Sequence, residues 1–220
     1  VFADADLDKA AAAIAGNILA NAGQACVAGS RLLVEASIAD RFAEEIVRRL
    51  QGVVPRPTWD EASRYSPIIS ERQIGRIDSI VKATLAEGAE CLTGGHIMDA
   101  PGYFYTPTLI AGVTAHSPAV LEEIFGPVLT MQVFSDEEEA LALADHPTYG
   151  LAAGLYTRDV SRALRLSRAL QAGTIWVNRY GRSRDHFLST GGYKRSGIGK
   201  DLGREAYLAN RKSKSVLIGL

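Results

Sequence analysis

Apolar residues recur along this chain at two spacings, and the switches between them lay out the elements. Ile38, Phe42, Ile46 and Leu50 stand four apart and predict a helix over 38–51. Ile74, Ile77, Val81 and Leu85 predict another, opened by a capping box of Ser70 with Gln73 and stopped at Gly88. Residues 7–20 are alanine-rich, with Asp4, Asp6 and Asp8 near the start and Ile14, Ile18 and Leu19 as an apolar face, so they too predict a helix. Further helices are expected at 159–170, at 201–210, and from a second box of Ser135 with Glu138 to about 145; 118–125 reads as a short helix or turn. Short apolar runs at 31–35, 89–93, 128–134, 151–157 and 173–178 predict strands. Residues 103–113 carry β-type residues around Pro107 and predict an edge strand or an extended crossing, and 52–67 is a proline-punctuated loop. The alternation predicts an α/β layered domain, a mostly parallel sheet flanked by helices. No internal repeat interrupts it.

Composition narrows the class without changing that outline. The 220 residues are enough for one sizeable core, and 47% hydrophobic with 22% charged residues is an ordinary globular balance. A net charge of −1 argues against nucleic acid as a partner, and no apolar run approaches the roughly 20 residues that cross a bilayer, so no membrane partner is expected. Two cysteines, Cys26 and Cys91, fit a reducing, cytoplasmic setting rather than a disulfide scaffold. The histidines, His96, His116, His146 and His186, show no ligand spacing, so no metal site is predicted.

Candidate chemistry gathers at 21–31, where Cys26 stands among Gly23, Gln24, Ala25, Val27, Ala28 and Gly29. A thiolate needs access and a stabilised charge, and small neighbours leave room for a flat carbonyl. Turn N–H groups beside it could stabilise a developing oxyanion. The competing expectation is a buried thiol acting as a small hydrophobe. For Cys91, in a short predicted strand, that packed state is the expected one. Glu123 stands in an otherwise apolar turn and Asn178 at a strand end; each could equally be a solvated terminus. Gly197 to Gly199 lacks the third glycine of a nucleotide fingerprint.

Four motifs then fall in one order: Gly23-Gln24-Ala25-Cys26-Val27-Ala28-Gly29-Ser30-Arg31; Glu122-Glu123-Ile124-Phe125-Gly126-Pro127-Val128; Gly173-Thr174-Ile175-Trp176-Val177-Asn178 followed by Gly191-Gly192-Tyr193-Lys194-Arg195-Ser196-Gly197; and the opening Val1-Phe2-Ala3-Asp4-Ala5-Asp6-Leu7-Asp8. Together they resemble the aldehyde dehydrogenase superfamily from end to end. The resemblance implies that Cys26 attacks an aldehyde and passes through a thiohemiacetal and a thioester to the acid. Its N–H would help form the oxyanion site, and NAD or NADP would accept the hydride. It implies that Glu123 accepts from the nicotinamide ribose hydroxyls and that Phe125 packs at the nicotinamide end. Gln24, Ala25, Val27, Asn178 and Thr190 would lie about the pocket.

The family's general base belongs to a Glu-Leu-Gly-Gly-Lys segment that does not occur in this sequence, so no base is nominated. The abrupt start at Val1 is read as the carboxyl-terminal half of a longer enzyme. Residues 1–210 would then be a catalytic domain and 211–220 an oligomerisation strand for a homodimer or homotetramer, with the dinucleotide-binding domain outside this chain. Alone, the chain is expected to bind NAD(P)⁺ weakly and to oxidise aldehydes poorly. Ser189-Thr190 replaces the Pro-Phe of many members, which puts an aromatic substrate wall in doubt. Arg179, Arg182 and Arg184 suggest an anionic aldehyde, unless they face solvent or a neighbouring subunit. Two other readings stay open: a thiol esterase using Cys26 with a histidine, and a non-catalytic assembly domain.

Overall fold

The computed structural model describes residues 1–181 and 186–219. In chain order these form α1 (Leu7–Leu19), β1 (Arg31–Glu35), α2 (Ala39–Leu50), α3 (Glu71–Ala86), β2 (Glu90–Thr93), β3 (Thr108–Ala111), α4 (Pro118–Leu121), β4 (Val128–Phe134), α5 (Glu137–Ala144), β5 (Tyr149–Gly150), β6 (Ala152–Leu155), α6 (Val160–Ala169), β7 (Thr174–Val177), β8 (Tyr193–Lys194) and α7 (Gly203–Ala209).

The central sheet has the order β1-β4-β3-β2; β4 runs parallel to both β1 and β3, and β2 is antiparallel. A parallel ladder, β6–β7, and a short antiparallel one, β5–β8, lie beyond it. Successive strand residues face opposite ways, so a sheet between helices must be apolar on both sides. Leu109 and Ile110 show this: both are fully buried, Leu109 among α1 and α2 residues and Ile110 among α3 and α4 residues. A third cluster joins Phe2 and Phe134 to Ala140 of α5 and Leu166 of α6. The α/β architecture expected from the alternation is therefore present, with a mixed, largely parallel sheet.

Three local expectations need correction. The strand near Pro107 is interior, between β4 and β2. Pro107 precedes the ladder, whose first donor is the Thr108 N–H to the Pro127 carbonyl at 2.8 Å, so the missing proline N–H costs nothing there. The helix after β4 is capped one residue later than expected: Asp136 accepts from the Glu139 N–H, and Glu139 Oε2 accepts from the Ser135 N–H. Ser70 caps α3 through the Gln73 N–H, but the Gln73 side chain turns elsewhere. Residues 211–219 join no helix or strand of the described chain, and Val216, Leu217 and Ile218 are exposed.

Asp4 ties the chain's start to the β6–α6 corner. Its carboxylate accepts from Thr157 Oγ1, the N–H groups of Arg158 and Asp159, and Arg162. Desolvation would raise its pKa, but these donors together outweigh it and hold the carboxyl below its ordinary 3.8. With the folded pKa depressed, the stabilisation is complete above the unfolded value and is lost as pH falls through the folded one. Asp4→Asn is expected to cost about 1–2 kcal/mol at neutral pH, the solvent-screened worth of charge-assisted hydrogen bonds. Urea unfolding from pH 7 downward checks it: the gap between variant and parent should close at acid pH.

Candidate active site

The cysteine turn is built on left-handed backbone. After α1, Asn21 and Ala22 have φ of 52° and Gly23 of 69°. Asparagine and glycine accept this region readily, whereas alanine does not; Ala22 is fully buried and is held there by packing. Gly23 lies so close to the Gly126 carbonyl that a Cβ would overlap it. The Gln24 amide donates to the carbonyls of Asn21 and Pro67, both at 3.0 Å, and its oxygen accepts from the Ile69 N–H at 2.9 Å. At the rear, the Gly29 N–H donates to Asn17 Oδ1 at 2.6 Å, and the Tyr180 ring rests against Gly29. Between these anchors Cys26 is exposed.

The facing turn is held just as firmly. Phe125 sits at φ 56° and is 39% exposed, a backbone conformation that a bulky residue keeps only when its surroundings impose it. Gln73 Nε2 donates to the Ile124 and Phe125 carbonyls at 3.0 and 3.1 Å. One turn along α3, Arg76 donates to the Glu123 and Ile124 carbonyls at 2.8 and 3.1 Å. These carbonyls thus have donors and Glu123 is left exposed. Gln73→Leu is expected to cost about 1–2 kcal/mol by removing the side-chain donor to the Phe125 carbonyl and leaving Ile124 with its Arg76 donor alone. Thermal melts would read the loss, and an unchanged Tm would refute the clamp.

Both turns border one cleft of about 460 Å³. Ala25, Cys26 and Val27 of the first turn and Glu123, Phe125 and Gly126 of the second are among its lining residues. Three expected pocket residues lie off its wall. Gln24 is committed to the loop at 67–69. Asn178 exchanges hydrogen bonds with the Thr157 N–H and carbonyl, and Thr190 bridges to Asp201. Arg182 and Arg184, from the expected anion-binding loop, lie outside the described residues. Cys91 is half-buried, and desolvation pushes its thiol up, outweighing the effect of its bond to the Thr93 carbonyl.

His146 also borders the cleft, but both its ring nitrogens are engaged. Nδ1 accepts from the Thr148 and Tyr149 N–H groups, which leaves Nε2 to donate to the Val120 carbonyl at 3.1 Å. Desolvation, followed by the Arg31 charge, lowers its pKa. A histidine so used is a structural brace and no free base for a thiol. Sequence reasoning passed over Asn17 and Arg76. Arg76 could have been found as the residue one turn beyond Gln73 on the same face of α3.

The model of the aldehyde dehydrogenase family matches residues 1–216. An aldehyde dehydrogenase of Davidiella tassiana is 40% identical over 220 residues, all of this chain and 44% of that protein. The betaine aldehyde dehydrogenase of Bacillus subtilis is 37% identical over 93% of this chain and 42% of its own. Among solved structures, the NAD-dependent aldehyde dehydrogenase of Sinorhizobium meliloti superposes with a TM-score of 0.90 at 40% identity, covering 94% of this chain and 41% of that one. The betaine aldehyde dehydrogenase of Staphylococcus aureus, in complex with NAD⁺, gives 0.89 at 36% identity over 93% and 41%. The chain thus spans less than half the length of these relatives. It belongs to the aldehyde dehydrogenase family.

Proposed function

We propose that this chain is the cysteine-bearing catalytic domain of an enzyme that oxidises an aldehyde to a carboxylic acid with NAD(P)⁺. The observation that carries this reading is the shared cleft, whose lining includes an exposed Cys26 together with Glu123 and Phe125. Cys26 Sγ adds to the aldehyde carbon to form a thiohemiacetal, and the turn N–H groups around it face the oxygen that becomes negative. After hydride loss the acyl group stays on sulfur as a thioester, and water releases the acid. The residues present suit the nicotinamide-ribose end of a dinucleotide: the Glu123 carboxylate can accept from two hydroxyls at once, and the Phe125 ring offers an apolar face. The bound dinucleotide supplies the hydride acceptor.

Gln24 acts by tying the turn down, Ala25 and Val27 as pocket wall, and Asn178 and Thr190 as supports of neighbouring loops. The exposed Val216, Leu217 and Ile218 suit pairing with a strand of a second copy, giving a homodimer or homotetramer. In a longer protein containing this chain, aldehyde should be converted to acid with one NAD(P)H formed per turnover. Aldehyde-independent ester cleavage alone would favour the thiol esterase, and inertness the assembly domain.

A further inference from the structure

His146 joins parts of the cleft that are far apart in sequence. Its ring is buried, and it bonds to Val120 of α4 and to the N–H groups of Thr148 and Tyr149 at the start of β5. The chain leaving α4 runs directly into the Glu123 turn. The Tyr149 ring stacks on the imidazole, with centroids 4.8 Å apart. The His146 carbonyl accepts from Lys194 Nζ at 2.6 Å, and Lys194, paired also with Asp145, keeps a left-handed φ of 54° beside Arg195 and Ser196. Val120, Glu123, His146, Tyr149 and Ser196 all belong to the lining of the cleft. One side chain thus ties the Glu123 turn to the 191–197 segment.

A single protonation state closes this joint. Nδ1 meets two N–H donors, at 3.0 and 3.1 Å, so it must offer its lone pair. Nε2 meets a carbonyl, so it must carry the hydrogen. A proton on Nδ1 would set a third N–H against the other two and break both bonds. The surroundings oppose that proton as well. Burial does so most, then the Arg31 guanidinium from β1 and the Lys194 ammonium from β8; the Val120 carbonyl and the Asp145 carboxylate favour it but are outweighed. Arg31 is itself anchored, donating to the Leu143 carbonyl at the end of α5 and to Gln132 Oε1 on β4, so its charge is held in place.

We propose that His146 is a positioning residue, a latch that closes only as the neutral imidazole and that releases α4 and the Glu123 turn when Nδ1 takes a proton from solvent. Its bearing on cofactor binding rests on the reading of Glu123 given above; the latch itself does not. With the folded pKa held below the ordinary 6.5, the stabilisation is complete above that value and is lost as pH falls from it towards the folded one. Because only the open form takes the proton, its population rises about tenfold between pH 7.5 and pH 5.5.

The test is amide hydrogen exchange, corrected for intrinsic rates, at Thr148, Tyr149 and Glu122, whose N–H donates to the Pro118 carbonyl across α4. The chain is compared with its His146→Asn variant. Asparagine Oδ1 falls where Nδ1 stands and can accept the same two N–H groups, but it neither titrates nor reaches Val120. In the parent, protection at all three amides should fall about tenfold between pH 7.5 and pH 5.5. In His146→Asn, Thr148 and Tyr149 should stay protected at both pH values, and Glu122 should exchange faster than in the parent at pH 7.5. Imidazole nitrogen chemical shifts need no variant: at neutral pH, Nδ1 should read as the bare nitrogen and Nε2 as the protonated one. Constant protection in the parent, the same fall in the variant, an unchanged Glu122 amide or the opposite tautomer overturns the proposal. No thiol or cofactor enters these readouts, so the latch and the catalytic assignment can each fail alone.

Discussion

Cys26→Ser in a longer protein containing this chain is expected to lower aldehyde oxidation by a factor on the order of 10³ or more, as removal of a covalent nucleophile does elsewhere. His146, a histidine bordering the cleft, spends both nitrogens on backbone groups and so offers a serine hydroxyl at this position no base. Because Cys26 is exposed, the same change should leave stability within about 0.5 kcal/mol. Steady-state oxidation together with a thermal melt separates these two effects. Retention of activity within tenfold would remove Cys26 from the chemistry.

Gly23→Ala should produce the largest loss of stability. Its φ of 69° costs an L-residue about 1–2 kcal/mol, and the added Cβ would overlap the Gly126 carbonyl, an overpacking cost of about 1–3 kcal/mol more. A drop in Tm of roughly 5–15 °C is expected for a domain of this size. Gly16→Ala is the control. No atom lies within 4 Å of a Cβ built there, and it sits inside α1, so the change should be neutral or stabilising by about 0.5–1 kcal/mol. If the two variants melt alike, the contact between the cysteine turn and the Glu123 turn is not what holds the cleft together.

Elements bounded by clear punctuation were legible in the sequence. The runs at 31–35 and 128–134 are the strands Arg31–Glu35 and Val128–Phe134 residue for residue, because apolar stretches there meet polar or small neighbours. Pro107 misled because a proline excludes only the position whose N–H the ladder needs, and that position lies one residue before β3. The two-residue strands β5 and β8 carry no periodic signal at all.

The site was half legible for a related reason. Small residues around Cys26 announce room for a substrate, and that is a local property. Whether an amide such as Gln24 or Asn178 faces a ligand or a loop depends on partners 43 and 21 residues away, Pro67 and Thr157, which spacing does not encode. The same holds for Gln73. Its identity suits a capping box, yet its side-chain amide reaches across to the Ile124 and Phe125 carbonyls of the turn at φ 56° instead.

The most direct measurement is brief alkylation of the folded chain with iodoacetamide at neutral pH, followed by peptide mass mapping. An exposed Cys26 between fixed turns, with Cys91 half-buried and its thiol pushed up, predicts modification of Cys26 well before Cys91. Modification of Cys91 first, or of neither cysteine, would contradict a reactive sulfur at the mouth of this cleft.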